Sequence, residues 1–161
     1  MKRQKIDAGR LEHCACLRLR RAARAVTRSY DRALAPAALS AAQFTLLAAL
    51  AGGSRRLGDL ADHLVMERTT LTRELAPMIQ AGSAVVRRGE DARLRLVSIT
   101  PAGLRKLKEA LPLLRKAQRG TVATVGASRY GQLVFALAAV TMKTARTLGR
   151  GTRRGSARRS A

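Results

Sequence analysis

Apolar and polar positions alternate along this chain with two different periods, and the change of period marks its parts. Through residues 10–34, Cys16, Leu19, Ala23, Val26, Tyr30 and Leu34 recur in steps of three and four and predict one helix with a single apolar stripe. Cys14, Arg18, Arg21, Arg28 and Arg32 cluster on its other side, and Pro36 closes it. Ser40 is a good N-cap for a helix over 41–51 with Phe44, Leu47 and Ala48 facing inward, stopped by Gly52-Gly53-Ser54. Leu57, Leu60, Ala61 and Leu64 then predict a short helix. After a two-residue turn, Glu67 opens another that carries Leu71, Leu75 and Met78.

The wheel shows what this second helix offers. At about 100° per residue its apolar trio falls in one narrow arc. Thr69, Thr70, Arg73 and Ala76 lie on the far side, with Arg68 and Thr72 at the near flank. Residues 84–88 and 94–99 are rich in β-branched and apolar side chains, and Gly89-Glu90-Asp91 between them signals a turn. Thr100 and Pro101 start a new helix as N-cap and first helical residue. It should reach about residue 118, kinked at Pro112, with Gly120 and Gly126 interrupting the next segment. A last helix over 127–148 carries Leu133, Val134, Leu137 and Val140 and stops at Gly149. Two short helices followed by a basic hairpin make a winged helix. Threonines and arginines on the outer face of such a helix-turn-helix are side chains that read a DNA major groove.

At these residues the chain resembles the MarR family of bacterial transcriptional regulators. Asp91-x-Arg93, followed six residues on by Ile99-Thr100-Pro101-x-Gly103, is similar to that family's wing signature, and Leu71-Thr72-Arg73 to its recognition-helix motif. The resemblance covers roughly residues 11–149. Two features depart from it: Gly82 is followed by Ser83-Ala84 where the family usually has a large aliphatic residue, and the wing is about one residue short. The implied fold class is mainly α with a small β-wing (α+β). A winged helix-turn-helix over 40–100 would be flanked by dimerisation helices over 10–36 and 101–149.

Composition adds a partner. With 161 residues the chain has the length of one domain, and 32 Lys+Arg against 10 Asp+Glu give a net charge of +22. Such an excess favours a polyanion, although an arginine-using genome would contribute part of it. Residues 1–9 are basic and expected to be mobile, and residues 150–161, with five arginines and no apolar anchor, to be disordered. No secretory pattern opens the chain and no stretch reaches about 18 uncharged apolar residues, so no membrane is expected. Two cysteines two apart make no disulfide framework, and a cytoplasmic location is the default expectation.

Candidate chemistry is concentrated in the winged helix. Thr69, Thr70, Thr72 and Arg73 are the expected base readers: Arg73 can fork onto a guanine edge, and a threonine can meet a thymine methyl or a phosphate. Arg68, near the helix start, is expected on a phosphate. Each could instead be a plain exposed side chain. By resemblance, Arg93 reaches a minor groove and Asp91 orients it; an arginine there reads groove shape. Arg87, Arg88 and Arg95 would add phosphate contacts or be solvated strand charges. The family also implies an effector pocket between dimer helices and winged helix, with Tyr30 and Phe44 as lining candidates or ordinary core residues.

Catalysis gains no support from the residues, and neither a metal nor another cofactor is expected. His13 and His63 are far apart in sequence. A Cys14-x-Cys16 metal site would need its helical turn unwound, because residues two apart on a helix point about 200° apart. Cys14, sharing a face with Arg18 and Arg21, is expected to be the reactive thiol, and Cys16, heading the apolar stripe, the buried one.

The apolar surplus of the terminal helices calls for a second copy, as does the resemblance. Two recognition helices would then enter successive major grooves roughly 34 Å apart, on a pseudo-palindromic operator in double-stranded DNA. The expectation is a homodimeric, sequence-specific repressor released by a small-molecule effector or by thiol oxidation. The alternatives are a sequence-independent architectural nucleic-acid-binding protein, which would hold scrambled DNA equally well, and a metal- or thiol-dependent enzyme.

Overall fold

The computed structural model describes residues 13–89 and 94–156, with side chains as far as residue 142. Helix α1 (Ala15–Leu34) leads through a 3-10 turn (Ala35–Ala37) to α2 (Ala41–Leu50). A two-residue strand β1 (Arg55–Arg56) precedes α3 (Leu57–Leu64) and α4 (Arg68–Gln80). The ribbon is β2 (Ala84–Arg88) and β3 (Arg95–Ile99), and two long helices come after it, α5 (Pro101–Val125) and α6 (Ala127–Ser156). The three strands form one antiparallel sheet in the order β1-β3-β2, with Arg56 opposite Leu96 and Val86 opposite Val97.

The core lies where α2, α3 and α4 meet the sheet and the first half of α5. Leu46, Leu47, Leu50, Leu60, Leu71, Leu75 and Val97 are its largest fully enclosed side chains, joined by Leu34 from the end of α1. Two caps tie α2 into place. Ser40 and Gln43 form a reciprocal capping box, and the Asp31 carboxylate on α1 accepts the Ala41 N–H at 2.7 Å. Helix α1 is thereby fastened directly to the first helix of the winged domain.

A second fastening explains the Thr100-Pro101-x-Gly103 pattern. The Thr100 N–H donates to the Ser83 carbonyl at 3.1 Å, and its hydroxyl donates to the Gly82 carbonyl at 2.6 Å while accepting the Gly103 N–H at 3.0 Å. Gly103 packs so closely on the chain that a methyl there would land on the Ser83 carbonyl, with the carbonyl carbon 2.9 Å away. Glycine is required for this approach, and Gly82 (φ +67) supplies the left-handed turn that brings Ser83 there. Ser83 and Ala84, the small pair that departs from the family pattern, are both buried.

Several sequence expectations need correction. Helix α1 starts at Ala15, with Cys14 as an extended N-cap, rather than near residue 10; residues 1–12 lie outside the described part. On α2, Ala48 is exposed and Leu46 is buried, because this helix is apolar on nearly every side and packs on more than one neighbour. Helix α5, with Pro112 inside it, runs past the expected end near residue 118 and through Gly120, and ends only at Gly126, whose φ of +88 breaks the helical path. Helix α6 continues past Gly149, the expected stop, through Gly151 to Ser156, so the described part of the basic tail is helical. Glycine inside a helix costs only about 1 kcal/mol relative to alanine, too little to act as a stop on its own. Residues 157–161 lie outside the described part.

Candidate nucleic-acid interface

Helix α4 is held by one face and offers the other. Leu71, Leu75 and Met78 are buried at 0–2% exposure, while Arg68, Thr69, Thr72, Arg73 and Ala76 are exposed. Thr70, expected on the far side, is half-buried, because the neighbouring α3 covers the start of α4. The turn between these helices places Val65 in the left-handed region (φ 52, ψ 46), an uncommon conformation for a β-branched residue. Val65 and Met66 donate back to Asp62 and Ala61 at 3.2 and 2.9 Å, closing the end of α3.

Hydrogen bonding within α4 limits what each side chain has left. The Thr72 hydroxyl already donates to the Arg68 carbonyl at 2.8 Å, so it keeps acceptor capacity and a methyl group for a partner. Arg73 makes no ion pair or hydrogen bond with its side chain among the described residues, and its five donors face outward. Pro77 stands four residues later and has no N–H for the Arg73 carbonyl.

The ribbon presents a like-charge arrangement. Arg88 and Arg95 are cross-strand partners, so both side chains lie on one face, and Arg87, next to Arg88 along β2, is exposed on the other. Like charges directly opposite each other destabilise a sheet, which makes this pair more useful to an anionic partner than to the fold. The Gly89 N–H donates to the Leu94 carbonyl at 2.8 Å and closes the described part of the hairpin. Asp91 and Arg93 lie outside the described residues.

Strand β1 joins this surface and was missed in the sequence, where a two-residue strand leaves no alternating pattern. Its two arginines part ways. Arg55 turns in, and its Nε donates to the Ala49 carbonyl at 2.9 Å near the end of α2. Arg56 is exposed and lines a cleft of about 290 Å³ with Leu57, Gly58, Asp59, Arg68, Leu94 and Arg95. The arginine doublet ahead of the first helix-turn-helix residue was the available signal.

The remaining candidates lie apart from this surface. Cys14 is half-buried and Cys16 is exposed, the reverse of the expectation. Two physical reasons account for it: Cys14 caps the helix and does not share its wheel, and the first part of α1 lies on nothing within its own chain. No three His, Cys, Asp or Glu side chains gather among the described residues. Phe44 belongs to the core and Tyr30 is half-buried on α1. Neither lines the arginine cleft or an open groove on α5 bounded by Arg115, Gln118, Arg119, Val122 and Ala123. No single helix among the described residues is long and apolar enough to cross a membrane.

No family model matches the sequence, and no curated protein does. Solved structures do. MosR, a transcriptional regulator of M. tuberculosis crystallised in complex with DNA, is 36% identical with a TM-score of 0.75, over 82% of this chain and 96% of MosR. CouR, a transcriptional repressor bound to a 23-mer DNA duplex, has the same fold at 24% identity and a TM-score of 0.74, over 85% of this chain and 99% of CouR. A mutant of MarR from E. coli, complexed with operator DNA, has it at 22% identity and 0.69, over 84% of this chain and 94% of that one. With 36% identity to MosR over 82% of its own length and 96% of that protein, the chain belongs to the MarR family of winged-helix transcriptional regulators.

Proposed function

We propose that this protein is a homodimeric, sequence-specific DNA-binding regulator that represses transcription in the cytoplasm and is released by a small ligand or by thiol oxidation. It has no catalytic step in this reading. The observation that carries it is the outward face of α4, where Arg68, Thr69, Thr72 and Arg73 are exposed on a helix fixed by three buried residues. A rigid helix with uncommitted donors suits direct reading of base edges. Arg73 takes a guanine edge, the threonines take thymine methyls or phosphates, and Arg68, Arg87, Arg88 and Arg95 neutralise backbone. Arg93, oriented by Asp91, takes the minor groove.

The dimer is supported by the apolar side chains that α1 and α6 leave in water. Leu17, Leu19, Val26, Leu133, Val134 and Phe135 are all exposed in the single chain, Phe135 at 78%. Monomers rarely leave so many large apolar side chains in water.

The test is selection of duplexes from a randomised pool by the purified protein, followed by binding titrations on the winner and on its scrambled counterpart. A pseudo-palindromic winner bound by a dimer, with at least about a thousandfold preference over the scrambled duplex, is expected. Equal affinity for both would replace this reading with sequence-independent binding driven by the net charge of +22.

A further inference from the structure

The arginine cleft beside the recognition helix has a role beyond the surface assigned so far. Its walls come from three separate elements: Arg56 from β1, Arg68 from the start of α4 and Arg95 from β3. Gly58 forms part of the floor. A Cβ there would stand 3.2 Å from an Arg68 terminal nitrogen and 3.6 Å from its guanidinium carbon, so the guanidinium lies across the first turn of α3. The sheet register brings Arg56 opposite Leu96, next to Arg95 along β3. One carboxylate, Asp59, also lines the space, yet none of the three arginines is ion-paired among the described residues. Three cations and one anion around one concave space leave an excess of two positive charges, which water alone must screen.

We infer that this cleft seats one backbone phosphate of duplex DNA, with Arg56 as a positioning residue that fixes how α4 enters the groove. The inference rests on the DNA-binding reading above and adds strand β1 as a third point of attachment, beside recognition helix and wing. A phosphate fits the chemistry. Its oxygens are acceptors only, and guanidinium forks from different elements can reach separate oxygens of one group. Arg55, turned inward onto the Ala49 carbonyl, anchors the short strand and leaves Arg56 to the cleft. Asp59, the one carboxylate in the lining, opposes the anion and lowers its affinity for the cleft on any sequence.

The experiment compares full-length wild type, Arg56→Gln, Arg56→Lys and Asp59→Asn on a duplex selected by the wild type and on its scrambled form, across a salt series. For Arg56→Gln the slope of log K against log salt should fall by about 0.9 per protomer, with the same fractional loss on both duplexes, because a phosphate carries no base identity. Arg56→Lys should restore most of the slope. Asp59→Asn should tighten binding of both duplexes by the same factor, since it too faces only the phosphate. Neutralising phosphates singly as methylphosphonates should reveal one position per half-site at which wild type loses affinity and Arg56→Gln does not. If no duplex is selected at all, the DNA-binding reading itself has failed. If one is selected but the Arg56→Gln slope equals that of wild type, this inference is overturned while that reading stands. Stabilisation of wild type but not Arg56→Gln by millimolar inorganic phosphate, with unchanged DNA slopes, would assign the cleft to a free anion and overturn it equally. Circular dichroism of each variant separates lost binding from lost fold, and Arg56, being exposed, should be replaceable without unfolding.

Discussion

Leu71 and Leu137 carry the same side chain on amphipathic helices of one chain, yet the first is 0% exposed and the second 39%. Helix α4, which carries Leu71, packs on α2, α3 and β2 of its own chain, and Leu71 belongs to the core that they enclose. Around Leu137 the stripe of Leu133, Val134 and Val140 continues along α6 and meets only part of α5. Periodicity alone looks alike in both helices. What differs is whether the complementary surface is encoded within the same chain. The winged helix is closed on itself, whereas the terminal helices are half of a surface whose other half we assign to a second copy.

Truncating one residue from each region is the strongest way to break this comparison. Leu71→Ala should cost about 2–5 kcal/mol, from lost transfer energy plus a cavity, at any protein concentration. Leu137→Lys should leave the thermal midpoint of dilute protein nearly unchanged. It should weaken self-association by at least about tenfold, since burying an uncompensated ammonium exceeds the roughly 1.4 kcal/mol of one decade. Chemical denaturation and sedimentation across a concentration series report the two quantities. A concentration-independent loss for Leu137→Lys would mean that α6 packs within its own chain.

Gly103→Ala tests the joint between the two regions. The added methyl would strike the Ser83 carbonyl, a backbone atom that cannot rotate away, so helix α5 must shift against the wing. Overpacking of this kind costs about 1–3 kcal/mol. Because the joint sets the angle between α5 and the winged helix, DNA affinity should fall by more than stability requires. Denaturant midpoints beside binding titrations check this; a variant as stable as wild type would mean that α5 and the wing are free to separate at this joint.

How much was legible divides along the same line. The bounds 57–64 and 84–88 are readable to the residue, because the helical spacing of the apolar residues in the first and the β-branched content and following turn of the second agree with local packing. Strand β1 was illegible: two residues carry no period, and its pairing with β3 is set by the fold. With it went Arg56, the one arginine of the cleft that the sequence did not single out. Gly120 and Gly149 mislead about the long helices, since each is a local penalty that a continuous helix can override. Thr70 and Cys16 are misplaced for one reason: a wheel gives a direction but does not say what stands there.

Within the winged helix, Arg73→Ala should weaken binding to a selected duplex by about 1–3 kcal/mol and relax preference at one base pair per half-site. Its guanidinium has no competing partner among the described residues, so removing it should leave the melting temperature unchanged. Competition with single-base variants of the selected duplex is the readout. Equal losses on every variant would turn Arg73 into a phosphate contact.

The smallest effect concerns the two thiols and asks whether the first part of α1 is covered in solution. In the single chain Cys16 is exposed and heads the stripe of Leu19, Ala23 and Val26, while Cys14 is half-buried at the helix start. Neither is in a disulfide. If a second copy covers the stripe, Cys16 is shielded in the dimer and opened on dissociation, whereas Cys14, at the cap and off the stripe, changes little. Alkylation timed by mass spectrometry should therefore label Cys16 faster in the monomeric Leu137→Lys variant than in wild type, with the Cys14 rate nearly the same in both. The variant keeps both cysteines in their own chain's surroundings, so a change confined to Cys16 reports cover and not altered thiol chemistry. Equal Cys16 rates in the two proteins would place the dimer contact elsewhere, on α6 alone, and would detach the thiols from any control of the spacing between recognition helices.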